Sequence, residues 1–311
     1  MRIAVTGGAG FIGSHVVDAL LALGHTVAVV DDLSSGQREN LPGQVLLYEQ
    51  DICHPGLGEF FRAQGTQVVI HHAAQISVAQ SVKNPLHDAQ VNVLGSLNVA
   101  QACAQAGVGK LIFASTGGAL YGEAAERGST ESDPTRPISP YGASKRAFEG
   151  YLPFYAAQHH LRYTVLRYAN VYGPRQDPHG EAGVVAIFAQ RLLHSQPCTL
   201  YARERPGDGG CVRDYVYVSD VARANVAVLE KGDGETYNIG SSQPVTTARV
   251  YALVAAAAGS KAQPIQAGPR PGDLQRSRLD CSKAARELGW QPQVGLEQGI
   301  AQTVEYFRQR G

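Results

Sequence analysis

Up to about residue 172 the chain alternates short, nearly continuous apolar runs with longer stretches of mixed polarity. Arg2–Thr6, Thr26–Val30, Val45–Tyr48, Gln67–His71, Lys110–Ala114 and Arg162–Arg167 read as strands, being rich in β-branched residues and of strand length. The segments between them carry apolar residues at helical spacing. Strands that are apolar on both sides, each followed by a helix, predict a parallel sheet covered on both faces: an α/β, doubly wound Rossmann architecture. After Tyr172 the rhythm breaks. Gly173-Pro174, Asp177-Pro178 and 206–210 punctuate the chain, and Ser219–Leu229, Thr247–Ala258 and Leu296–Arg308 read as shorter helices. The pattern predicts a doubly wound domain over 1–172 and a smaller C-terminal α/β lobe over 173–311, with some of its segments returning to the Rossmann sheet.

Composition narrows the class of partner. The 311 residues suffice for a large core, and with 44% hydrophobic and 17% charged residues nothing marks the chain as disordered. Lys and Arg (27) balance Asp and Glu (27), so no basic surplus invites nucleic acid or an anionic membrane; a small molecule is the expected partner. Cysteines at 53, 103, 198, 211 and 281 are scattered, without CxxC pairs or metal-ligand spacing, which predicts reduced thiols, no metal and a cytoplasmic location. No apolar run approaches the ~20 residues of a bilayer span, and the first strand runs at once into glycines, unlike a signal peptide.

Those glycines carry the first chemistry. Gly7, Gly10 and Gly13 sit between the first strand and the first helix, where they allow a tight turn, a close approach to pyrophosphate and close helix–strand packing. Asp31 ends the second strand, placed to hold the adenosine ribose hydroxyls and repel a 2′-phosphate, so NAD is expected over NADP, with Arg38 nearby as the opposing signal. Asp51-Ile52 follows the third strand, placed either at the adenine or as a strand-end cap. Further along, Tyr141 and Lys145 are four residues apart at the start of a helix behind Pro140, hence on one face, where the ammonium is expected to depress the phenol pKa and make Tyr141 a base. Ser115-Thr116 lies at the end of the fifth strand, at the edge where doubly wound folds bind ligands.

Together these segments resemble the extended short-chain dehydrogenase/reductases, and within them the NAD-dependent nucleotide-sugar epimerases and dehydratases. The resemblance covers essentially the whole chain and rests on 7–13, the Asp31 to Gly36 loop, His72-Ala73-Ala74, Asn92, Ser115-Thr116, Tyr141/Lys145, Asn170, 213–218 and Arg270-Pro271-Gly272-Asp273. It implies a catalytic set of Thr116, Tyr141 and Lys145, with Ser115 as a second hydroxyl. NAD contacts are implied from Gly7, Gly10, Phe11, Ile12, Gly13, Asp31, Asp32, Ser35, Gly36, Asp51, Ile52, His72, Ala73, Ala74, Asn92, Tyr141, Lys145 and Tyr168. It also implies diphosphate binding by Asn170 and Arg213, a nucleotide clamp from Arg270 and Asp273, and uracil neighbours in Val184, Val185 and Tyr201. Between Tyr201 and Gly207 the chain carries extra residues relative to the commoner family pattern.

The related 4,6-dehydratases carry acidic residues beside the catalytic Thr; here Gly117-Gly118-Ala119 follow it. The resemblance therefore implies C4 epimerisation of a UDP-hexose through a transient 4-keto sugar, against the alternatives of another NDP-sugar epimerase or dehydratase, or a non-catalytic nucleotide-binding sensor. Ser277, four residues after Asp273, occupies a position that borders the C2 substituent in this family. A small residue there implies acceptance of UDP-N-acetylhexosamines beside UDP-glucose and UDP-galactose. Helices around Asn92–Ala106 and Tyr141–His160 imply a homodimer through a four-helix bundle.

Overall fold

The computed structural model describes residues 1–124, 126–179, 183–270 and 272–310. Its centre is a seven-stranded, wholly parallel sheet. In chain order the strands are β1 (Arg2–Thr6), β2 (Thr26–Asp31), β3 (Leu46–Glu49), β4 (Val68–His71), β5 (Lys110–Thr116) and β6 (Arg162–Tyr168). The short strands β7 (Asn170–Tyr172), β8 (Thr199–Tyr201), β9 (Val212–Arg213) and β10 (Tyr215–Tyr217) follow, then β11 (Glu235–Ile239), β12 (Val245–Thr246), β13 (Ile265–Ala267) and β14 (Arg276–Ser277). The large sheet runs β11-β6-β5-β4-β1-β2-β3, so the order reverses between β1 and β4. That reversal opens a crevice at the carboxyl edge, the usual ligand position in such sheets.

Helices α1 (Phe11–Ala22), α2 (Leu57–Ala63), α3 (Val78–Lys83), α4 (Pro85–Ala89), α5 (Ser96–Ala106) and α6 (Pro140–His159) belong to the first half of the chain. The second half supplies α7 (Val184–Leu193), α8 (Val218–Ala227), α9 (Thr247–Ala258), α10 (Ser282–Leu288) and α11 (Leu296–Arg310). Two apolar cores coat the sheet. One holds Val16, Val17 and Leu20 of α1 with Val221 and Ala224 of α8; the other holds Phe61, Val99, Phe148 and Leu152 from α2, α5 and α6. A third core, with Val185, Phe188, Val250, Val254 and Ile300, belongs to α7, α9 and α11 of the second lobe.

The second half does not stand apart from the sheet. Strand β11 adds to β6 in parallel register, from Glu235 opposite Thr164 to Ile239 opposite Tyr168, and α8 packs on α1. Strands β7 to β10 and β12 to β14, two or three residues each, form small satellite sheets at the carboxyl edge. No helix among the described residues is long and apolar enough to cross a membrane, and all five cysteines are free thiols.

Candidate active site

The cofactor end is made largely of backbone. Gly7 has φ +67°, and a Cβ on it would stand 2.6 Å from the Ala73 nitrogen; one on Gly13 would stand 2.1 Å from the Gly7 carbonyl oxygen. Only glycine fits at either place. The same test at Gly10 meets nothing closer than that oxygen at 3.3 Å. Helix α1 starts behind Gly10 with no side-chain cap and no acid in its first turn, which leaves its leading N–H donors and the positive end of its dipole, at Phe11, Ile12 and Gly13, for an anion.

Asp31, 6% exposed, accepts hydrogen bonds from the N–H groups of Ala9 and Leu33, both at 2.9 Å. Burial raises its carboxyl pKa and these donors pull it back. It therefore braces the glycine turn, with lone pairs left for a ribose. Gly36 lies against it, since a Cβ there would be 2.7 Å from the carboxylate oxygen. Beside it Asp32 accepts from the Ser34 N–H and hydroxyl, and Ser35 is exposed. Asp51 accepts from the Cys53 N–H at 2.7 Å, capping its own turn, while Ile52 is buried against Gly95.

At the end of β4 the Ala73 N–H donates to the Thr6 carbonyl at 3.1 Å. The His72 ring nitrogen Nε2 lies 3.1 Å from the Tyr168 hydroxyl, which also accepts from Asn225 at 2.8 Å. Burial lowers the His72 pKa to about 3, so the ring is neutral, and its Nδ1 is buried without a partner among the described residues. A glycine cradle, uncapped helix donors, a carboxylate at the end of β2 and this unpartnered nitrogen fit a dinucleotide. Asn92 differs from expectation. It is fully buried, and its amide is engaged with the backbone of Gln75 and with Asp88 at 2.9 Å, so it supports the wall of the cleft rather than facing a ligand.

The catalytic segment is local in origin. The Ser139 hydroxyl caps α6 by accepting from the Gly142 N–H at 3.2 Å, and Pro140 takes the first helical position. Gly142 is pressed against the loop after β5, where a Cβ would stand 2.6 Å from the Ala119 oxygen. Tyr141 is half-buried and Lys145 buried, one turn apart. The Lys145 ammonium donates to the Ala114 carbonyl at 3.1 Å and lies 4.9 Å over the Phe113 ring. Burial lowers its pKa to about 8, with Asp88 and Glu149 holding it up. For Tyr141 the expected depression is not found: burial pushes the phenol above its ordinary range, and the Asp88 charge adds to the rise. A phenolate held away from water and near a carboxylate is disfavoured.

Strand β5 continues through Thr116 instead of stopping at Ala114, and alternation along a strand sends adjacent side chains to opposite faces. Ser115 donates to Glu149 at 2.6 Å inside a buried network in which Glu149 takes two hydrogen bonds from Arg167, at 3.0 and 2.6 Å. It is therefore removed from the set of hydroxyls that can share a catalytic role. Thr116, half-buried, accepts from the Ala119 N–H at 3.1 Å. A Cβ added to Gly118 would lie 3.9 Å from the Thr116 hydroxyl and 4.0 Å from that of Ser277, so the two face one small space. At Gly117 a Cβ would strike the buried Leu279 side chain at 2.5 Å.

The second lobe supplies longer side chains from its short strands. Arg213 lies opposite Ser277 in the β9–β14 pair, and among the described residues it has no carboxylate partner. Asn170 donates to the Asp214 carbonyl at 3.0 Å, and the buried Asp214 carboxylate accepts from Ser241 and Ser242. The Arg270 guanidinium pairs with Asp273 at 3.0 Å and lies 4.6 Å over the exposed Tyr201 ring. Pro271, between them, lies outside the described residues. In the extra stretch after Tyr201, Asp208 accepts from the N–H groups of Arg203, Glu204, Arg205 and Gly210, which hold its carboxyl well below the usual range. Val184 is half-buried at the start of α7, but Val185 is wholly buried in the third core and cannot border a base.

A doubly wound sheet with a glycine cradle and a Tyr/Lys helix at its carboxyl edge defines a dinucleotide-dependent enzyme. The chain belongs to the NAD dependent epimerase/dehydratase family, whose profile matches residues 3–240. Among its relatives, the UDP-glucose 4-epimerase of Mycolicibacterium smegmatis is 46% identical, covering 100% of this chain and 99% of that protein. Two solved structures superpose with TM-scores of 0.95. One is the UDP-glucose 4-epimerase of Thermotoga maritima with UDP-glucose, 50% identical over 100% of this chain and 99% of that one. The other is the UDP-glucose 4-epimerase of Thermus thermophilus in complex with NAD, 54% identical over 99% of each.

Proposed function

We propose that the protein inverts the C4 hydroxyl of a UDP-hexose, interconverting UDP-glucose and UDP-galactose, with NAD held in the glycine cradle. Supporting this is a chain about half identical over its whole length to two UDP-glucose 4-epimerases, with Tyr141 and Lys145 one turn apart on α6 and the Lys145 ammonium bound to the β5 backbone two residues before Thr116. Bound NAD supplies reversible hydride exchange at the sugar's C4. The chain supplies the rest: Tyr141 Oη takes the proton from the C4 hydroxyl and later returns it, Lys145 offsets the phenolate charge, and Thr116 orients the hydroxyl.

Gly117 and Gly118 favour epimerisation over dehydration. Elimination needs a proton donor and a base beside the catalytic Thr, and Leu279 closes position 117 to any side chain. Arg213 and Asn170 hold the diphosphate, a guanidinium without a competing acid being suited to it; Arg270, Tyr201, Asp273 and Val184 border the nucleoside. Ser277 leaves room at C2, so N-acetyl sugars enter as well. We further propose a cytoplasmic homodimer, in keeping with five free thiols and with exposed Leu94, Tyr151 and Phe154 on and beside α5 and α6.

The test is to incubate the purified protein with UDP-galactose, and separately with UDP-N-acetylglucosamine, without added NAD, and to separate the products chromatographically. Conversion of both to their C4 epimers is expected. No conversion of either, even with NAD supplied, overturns the assignment.

A further inference from the structure

Outside the residues assigned so far, one carboxylate stands in an unusual place. Asp88 on α4 is wholly buried, at 0% exposure. Its Oδ2 accepts from the Ser144 hydroxyl at 2.6 Å, and its Oδ1 from Gln75 Nε2 at 2.8 Å and Asn92 Nδ2 at 2.9 Å. None of these donors carries a charge, and among the described residues Asp88 forms no ion pair. A buried carboxylate without a paired cation is costly unless a positive charge stands near.

The surrounding charges identify that cation. Glu149, also close to Lys145, is already matched by the two-pronged contact with Arg167 on β6. His71 and His72 at the end of β4 are kept neutral by burial. Helix α5 carries no charged residue, and on α3 the sole charge is the exposed Lys83. On α6 Arg146 is exposed and donates to the Thr135 hydroxyl, and His87 on α4 is exposed, which leaves the buried Lys145 as the positive charge opposite Asp88. The tie to Ser144 also joins α4 directly to the turn of α6 that contains Tyr141 and Lys145.

We propose that Asp88 is a positioning residue of the catalytic helix: it holds Ser144, and so the rotation of α6, while supplying the negative charge against which the Tyr141/Lys145 pair works. The proposal rests on the assignment of that pair as catalytic. The Asp88 charge favours the ammonium of Lys145 and opposes ionisation of Tyr141. Asp88→Asn keeps the shape and removes the charge: its Oδ1 still accepts from Gln75 and Asn92, while its Nδ2 donates to the Ser144 oxygen, reversing that contact, so both groups should lose their protons at lower pH.

Two variants test this on the NAD-loaded protein. In Asp88→Asn, the whole pH–kcat profile should move about one unit to lower pH, and the NMR titration midpoint of the Lys145 Cε resonance should fall by a similar amount. Ser144→Ala, which keeps the charge and removes the tie, should lower kcat about tenfold with the optimum unmoved. A profile for Asp88→Asn that superimposes on the wild type, with an unmoved Lys145 midpoint, overturns the charge role. An unchanged kcat in Ser144→Ala overturns the positioning role, even if Asp88→Asn does not fold. Wild-type protein inactive on every UDP-sugar would instead refute the proposed function, and the Lys145 titration would still decide the charge balance.

Discussion

The two ends of the cleft are built from different materials. Cofactor-side contacts come from backbone packed so tightly that a single methyl group at Gly13 would stand 2.1 Å from a carbonyl oxygen. Across the cleft, Tyr201 and Arg213 reach out from strands of two or three residues and Arg270 from the loop between β13 and β14, 58% exposed while paired with Asp273. A backbone site tolerates no variation in its sequence and fixes one ligand. Side chains on short strands can be exchanged without disturbing a core, which is where substrate choice can change while the cofactor does not.

Tyr141 stands between the two ends, and its loss should have the largest effect. Tyr141→Phe is expected to cut kcat by about 10³-fold, the usual scale of a general acid–base group, while bound NAD persists in the purified protein. Activity within tenfold of wild type would remove Tyr141 from the mechanism. Next comes Gly13→Ala, expected to cost about 1–3 kcal/mol through overpacking and to yield protein with little NAD, read by thermal unfolding and nucleotide release. A stable, NAD-loaded variant would erase the contrast between the ends.

Arg213→Ala should raise KM for UDP-sugar about 10-fold or more, the weight of a charged hydrogen bond, with the melting temperature almost unchanged. Equal losses of stability and affinity would show that Arg213 belongs to the fold. Acid should loosen the cofactor end. The His72 pKa is depressed from 6.5 to about 3 in the folded protein. Its contribution to stability is therefore present above 6.5 and lost as pH falls toward 3, because the unfolded chain takes up the proton first. His71, lowered by burial in the same way, adds to this. A melting temperature that stays flat from pH 7 to pH 4 would contradict it. The smallest effect is expected for Arg270→Lys, a few-fold rise in KM, as stacking on Tyr201 is worth about 0.5–1 kcal/mol at an exposed site.

Much of the large sheet was legible because parallel strands covered on both faces are apolar throughout, and the glycine turn because its demands are local. Helix Thr247–Ala258 has in the structure the limits that its sequence pattern predicts. What escaped was mostly alternation and distance. In the sequence Ser115 and Thr116 look alike as strand-end hydroxyls although adjacent strand residues face opposite ways, and Val184 and Val185 look alike although helical neighbours diverge. Both signals were present in the sequence. Asp88 had none: its partners Gln75 and Ser144 lie 13 and 56 residues away, and a polar residue in a five-residue helix has no periodicity to mark it as buried. The satellite strands are too short for any pattern to register.

The position of β11 bears on how the protein is made. Strand β6 gains its outer neighbour only when Glu235–Ile239 has been synthesised, long after the glycine turn and the Tyr/Lys helix have left the ribosome. Until then the nascent chain exposes a sheet edge of unpaired backbone N–H and C=O groups beside the apolar Val165 and Leu166, of the kind that recruits other polypeptides. A fragment ending at residue 172 would keep that margin for good. It would be expected to accumulate as aggregate, so the dinucleotide half could not be borrowed as a free-standing module without its terminal strand grafted back.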